Sequence, residues 1–142
     1  MKTWVSFAFV VLLSSVSLAA QSSPAPQPYR VIFDLTSPEV ADQKAVLRWI
    51  KEISSYNPGT NFEVVMYGSG LDFVVSGRST LAAEVKEALA NPKVSFKVCA
   101  IAMRNQHVDT SQLLPGVGIV PDGIGELVAK QRAGWGYIKV GH

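Results

Sequence analysis

From Tyr29 to the C-terminus, short β-branched and aromatic runs alternate with stretches whose apolar residues recur every three or four positions. That alternation is the strongest constraint in the sequence, and it restricts the chain to an α/β fold. Tyr29–Leu35, Phe62–Tyr67, Val94–Ala100, Val117–Val120 and Trp135–Val140 read as strands. Between the first two, Ser37 is placed as a helix N-cap with Pro38 at the first helical position. Val46, Leu47, Ile50 and Ile53 give that helix one apolar face out to Tyr56, and Asn57-Pro58-Gly59 stops it. Leu81, Val85 and Leu89 mark a helix from about Thr80 to Ala90. Met103 to His107 reads as a short helix. Ile124, Leu127 and Val128 form the apolar face of the last helix, which Gly134 ends. Leu71 to Ser76 fits either a helical turn or a short extended piece. Strands joined through helices require right-handed crossovers. The expected architecture is therefore a mainly parallel, five-stranded sheet with helices on both faces, a Rossmann-like three-layer arrangement.

Ahead of this domain, Lys2 precedes an apolar run from Trp4 to Leu13, followed by small residues through Ala20. This is the layout of a cleavable signal peptide over residues 1–20, with cleavage near Ala19 or Ala20 and a periplasmic or secreted destination. The run stops well short of the ~20 apolar residues that span a bilayer, so no membrane attachment is expected after cleavage. Residues 21–28 are polar and proline-rich and read as a flexible leader, leaving residues 29–142 as one α/β domain. Removing Lys2 leaves 12 basic against 11 acidic residues, and no basic cluster stands out, which argues against nucleic acid as a partner. His107, Asp109 and His142 do not form a metal-binding spacing, and no complete phosphate fingerprint is present, so neither a metal nor a cofactor is expected.

The C-terminal third resembles the DsrE/DsrF-like family of small sulfur-relay-type proteins. The resemblance rests on Val98-Cys99-Ala100, Val108-Asp109, Leu113-Leu114-Pro115-Gly116-Val117, Val120-Pro121-Asp122-Gly123-Ile124, Glu126-Leu127-Val128, Gln131 and Gly134-Trp135-Gly136-Tyr137-Ile138-Lys139. The Tyr29–Asp34 strand and the Tyr67-Gly68 strand end also fit. The resemblance implies a homo-oligomer, with trimers and hexamers among the expected forms, and a donor or acceptor protein for sulfur. It also implies that Cys99 accepts sulfur as a persulfide, an activity at most sulfurtransferase-like. Relatives often carry a polar pair after the cysteine, where this chain has Ile101-Ala102.

Independently of that resemblance, ligands of open parallel sheets lie outside the carboxyl ends of the strands. Those ends bring forward Asp34, Tyr67-Gly68-Ser69-Gly70 and Cys99. Cys99, the only cysteine, is the candidate nucleophile, since a strand-end thiolate gains from the N–H groups of a following helix. Lys97 on the same strand face and Arg104 one turn onward can add positive potential. Gly68-Ser69-Gly70 can present backbone N–H groups to an anion, or can simply form a tight turn. Asp34 can orient a ligand or cap its own loop. His107 can act as a base toward Cys99 or cap a loop. Two readings follow: a sulfur carrier working through Cys99, and a non-catalytic oligomeric scaffold or small-ligand binder in which Cys99 is a packed core residue.

Overall fold

A computed structural model describes Met1 and residues 28–141; the expected signal peptide and nearly all of the leader lie outside the described residues. The strands are β1 (Arg30–Leu35), β2 (Asn61–Met66), β3 (Val94–Cys99), β4 (Gly118–Val120) and β5 (Gly136–Val140). The helices are α1 (Val40–Tyr56), α2 (Ala82–Leu89), α3 (Ala100–Asn105) and α4 (Gly123–Arg132). All five strands pair in parallel in the order β4-β3-β2-β1-β5, which is the expected α/β sheet.

Side-chain alternation divides the sheet between two layers. Val31, Phe33, Leu35, Phe62, Val64, Met66, Val94, Phe96 and Val98 turn to the main core, where α1, α2 and α3 add Val46, Leu47, Ile50, Val85 and Met103. Ile32 and Val65 turn the other way and meet Leu127 of α4. The segment Leu71–Ser76, left open between two conformations, is largely helical: a 3-10 stretch covers Gly68–Val74 and buries Leu71, Phe73 and Val74 in the main core.

Three local expectations are corrected. The N-cap of α1 is Glu39, not Ser37, and Pro38 lies outside the helix; Ser37 Oγ instead accepts from the Glu39 N–H, a local turn that imitates a cap one step early. The short helix begins at Ala100 and ends before His107. His107 holds φ +53°, with its own N–H donating to Arg104 O and the Val108 N–H donating to Met103 O; this is the left-handed closure of a helix C-terminus. Finally, Ile124 and Val128 are exposed, because a single helix on a broad sheet face buries only Leu127 and Gly123.

Candidate functional site

The chain runs from β1 through β4 in one direction across the sheet, with α1, α2 and α3 on the main-core face. The connection from β4 to β5 then returns across the whole sheet, so right-handedness sends α4 to the opposite face. The connections leaving β3 and β4 therefore depart to opposite faces. The carboxyl edge between these two strands is a topological switch point, the place where open α/β sheets bind ligands.

Cys99 sits there. It is the last residue of β3, opposite Val120 at the end of β4, and it is also the N-cap position of α3. The thiol is buried, with 5% of the residue exposed. The first turn of α4 lies directly on it: a methyl group added at Gly123 would stand 3.1 Å from Cys99 Cβ and 3.3 Å from Tyr67 Cδ1. Any larger residue there would force these neighbours to give by a few tenths of an ångström. A cavity of about 460 Å³ opens beside the thiol. Tyr67 and Gly68 line it from the end of β2; Ile101, Ala102, Asn105 and Gln106 from α3; Asp122 and Ile124 from the start of α4. Gln106 Nε2 donates to Gly68 O at 2.6 Å and ties the far end of α3 to the β2 loop. Asp122 caps α4, its Oδ1 accepting from the Ile124 N–H at 3.0 Å.

Tyr67 connects this cavity to a second group of polar side chains. The buried Asp34 carboxylate accepts from Tyr137 Oη at 2.6 Å and from Lys139 Nζ at 3.3 Å, and the same Nζ donates to Thr36 Oγ1 at 2.7 Å. Lys139 Nζ also lies 6.0 Å from the Tyr67 ring centre. Burial, then the charge of Asp34, push the Tyr67 phenol up to about 12. The hydrogen bond to Asp34, then burial, push the Tyr137 phenol up to about 12. Both phenols are thus kept protonated, as hydrogen-bond donors.

Of the residues singled out in the sequence, Tyr67, Gly68 and Cys99 meet at the cavity, and Asp34 stands behind Tyr67. Ser69 and Arg104 are exposed and do not line it. Gly70 is buried, and its α-carbon faces the backbone of Leu35 and Thr36 rather than the cavity. Lys97 reaches toward Gly118 at the sheet edge. Gln106, Asp122, Gly123, Tyr137 and Lys139 are not among the candidate site residues of the sequence, although all but Gln106 belong to the stretches that carry the family resemblance. Aspartate before glycine at a helix start was the one available signal, and it marks a cap without revealing that the helix covers the cysteine. Among the described residues no group of three or more His, Cys, Asp or Glu could hold a metal ion, and no helix is long and apolar enough to cross a membrane.

Comparison with known proteins places this geometry. The solved structure of MTH1491, a protein of unknown function from Methanobacterium thermoautotrophicum, superposes with a TM-score of 0.74 at 27% identity, covering 78% of this chain and 98% of that one. The ychN protein of E. coli shares the fold, with a TM-score of 0.64 at 13% identity over 80% of this chain and 99% of its own. No curated protein matches the chain. The family model of the DsrE/DsrF-like family matches residues 30–140, from the first residue of β1 to the last of β5, and the chain belongs to that family.

Proposed function

We propose that this protein is an exported carrier of sulfane sulfur that works through Cys99. The supporting observation is the position of the only cysteine at the switch point of the sheet, beside a cavity. In the first step the Cys99 thiolate attacks the outer sulfur of a donor persulfide, R–S–SH. The S–S bond breaks, Cys99 becomes Cys–S–SH, and the donor leaves as R–S⁻. Attack by an acceptor thiolate on the same outer sulfur regenerates Cys99, so the cycle needs no oxidant. The donor and acceptor are partner proteins or small thiols, and the exposed Ile101 and Ile124 at the cavity suit a homo-oligomeric contact. Export follows from the signal-peptide layout of residues 1–20.

Intact-mass measurement after incubation with an alkyl persulfide tests the reading: the protein gains about 32 Da, and Cys99→Ala does not. An equal gain on the variant, or none on the wild type, overturns it. The burial of Cys99 under Gly123 favours a second reading, a binding module of the same fold in which the thiol is packed and inert. On that reading the thiol stays unmodified by persulfide and by maleimide alike while the protein remains folded.

A further inference from the structure

The α4 face of the sheet contains a buried ionic cluster that the cavity does not use. Glu63 of β2 has only 5% of its side chain exposed. Its Oε2 accepts from Lys130 Nζ at 2.7 Å and lies 3.5 Å from Ser95 Oγ. Its Oε1 is buried with no hydrogen-bond partner. Lys130 also pairs with Glu126 one turn earlier, at 3.4 Å, and its ammonium lies 4.4 Å from the Trp135 ring centre. Two carboxylates therefore share one ammonium under α4, and one oxygen has no donor. An ionised pair would leave one uncompensated negative charge in a poorly hydrated place, which is costly.

The neighbouring charged groups do not supply the missing donor. On β1, Asp34 is bonded to Tyr137 and Lys139 of β5, and Arg30 donates to Ala133 O at the end of α4. On β3, Lys97 turns to Gly118. A proton on Glu63 Oε1 turns the orphaned acceptor into a donor and removes the uncompensated charge.

The attachment of α4 is thin. Among its own residues only Gly123 and Leu127 are buried, and the Lys130–Glu63 pair is the ionic tie between α4 and the sheet. Its first residue is the one that covers Cys99. We propose that Glu63 holds a proton while α4 is seated, and that losing this proton to solvent loosens α4 and uncovers Cys99. The cluster is thus a proton-controlled latch on access to the thiol, whatever that thiol carries. The carboxyl of Glu63 is displaced upward from the ordinary carboxylate range, chiefly by burial, in agreement with a proton held there.

Residue-resolved amide hydrogen exchange of the wild-type protein provides the test, with α1 as an internal reference. Between about pH 5 and about pH 9, protection of the α4 amides falls at least about threefold relative to α1. Over the same range, Cys99 alkylation by iodoacetamide rises by a similar factor relative to Glu63→Gln, a ratio that cancels the ionisation of the thiol itself. Glu63→Gln supplies a permanent donor and removes the pH dependence of α4 protection. Glu126→Gln leaves one carboxylate for one ammonium and removes it as well. Parallel exchange of α4 and α1 across this range overturns the proposal, and so does a pH dependence that survives in a folded variant. Failure of the persulfide experiment alone leaves the latch standing, because exchange does not involve sulfur.

Discussion

Gly70 separates the two uses its sequence context allowed, anion contact or backbone packing. A methyl group built there would collide with the Leu35 carbonyl oxygen and stand 2.9 Å from Leu35 C and 3.1 Å from Thr36 Cα. Every one of these atoms is backbone, and Leu35 is fixed on both sides by pairing with Met66 and Val140. No side chain can rotate away, so the 3-10 segment and the end of β1 must separate by about 1 Å. Overpacking of this kind costs about 1–3 kcal/mol, and the smaller conformational freedom of alanine in the unfolded chain offsets about 0.4–1 kcal/mol. Gly70→Ala is therefore expected to lose about 1–2 kcal/mol net, a fall in Tm of about 4–10 °C for a domain of this size. Thermal melts followed by circular dichroism measure it, with Cys99 alkylation under native conditions as the second readout. The expected result is a lowered Tm and a thiol that still reacts at close to the wild-type rate. An unchanged Tm with suppressed alkylation would refute the packing argument and turn Gly70 into a cavity residue.

The Asp34 cluster makes a second prediction. Its side chain is 6% exposed and that of Lys139 is 39% exposed, so solvent screens the ion pair and Lys139→Met costs about 1–2 kcal/mol in urea denaturation. Combining it with Tyr137→Phe leaves a buried carboxylate without either partner, at a cost of about 3–5 kcal/mol, much of which Asp34→Asn recovers. An unchanged urea midpoint for the double variant sinks the account. A third prediction concerns alkaline unfolding. The Tyr67 and Tyr137 phenols ionise near 12 in the folded protein, above the ordinary 10.0, so the protonated phenols favour the folded state. The stability they contribute is complete below pH 10 and is lost as the pH rises toward 12. Stability measured across that interval should fall less steeply in Tyr137→Phe, and equal slopes would contradict the assignment.

The parallel sheet could be read from the sequence because buried strands and amphipathic crossovers have different hydrophobic periods, and the handedness rule then restricts the topology. The errors were local. Ser37 before Pro38 carries every chemical feature of an N-cap, yet its hydroxyl satisfies the Glu39 N–H in a turn and the helix starts later. Ile124 and Val128 have the spacing of a buried face, but how much of a helix face is covered depends on what lies opposite, which periodicity does not encode. The same limit applies at the site. Cys99 and Tyr67 are strand ends and could be found as such. Tyr137 and Lys139 are more than a hundred residues from Asp34, and only the β1–β5 register brings them to it.

The position of Asp122 leads to the last prediction. Cys99 lies beside the beginnings of two helices, α3, of which it is the N-cap, and α4, whose first residue packs on it. The two are not equivalent. The start of α3 has no side-chain cap, whereas the start of α4 is already occupied by the Asp122 carboxylate, which accepts from the Ile124 N–H and lines the cavity. That carboxylate competes with a Cys99 thiolate for the positive end of α4 and repels it across the cavity. Asp122→Asn keeps the capping acceptor, since asparagine caps as well as aspartate, and removes only the charge. Its alkylation rate at neutral pH and low salt should exceed that of the wild type by about two- to fivefold, and the excess should shrink as added salt shortens the Debye length. Helix content stays unchanged, which separates this effect from loss of the cap. If the rate stays the same, or if the gain is indifferent to salt, then α4 acts on Cys99 as a cover alone and its dipole has no part in the chemistry.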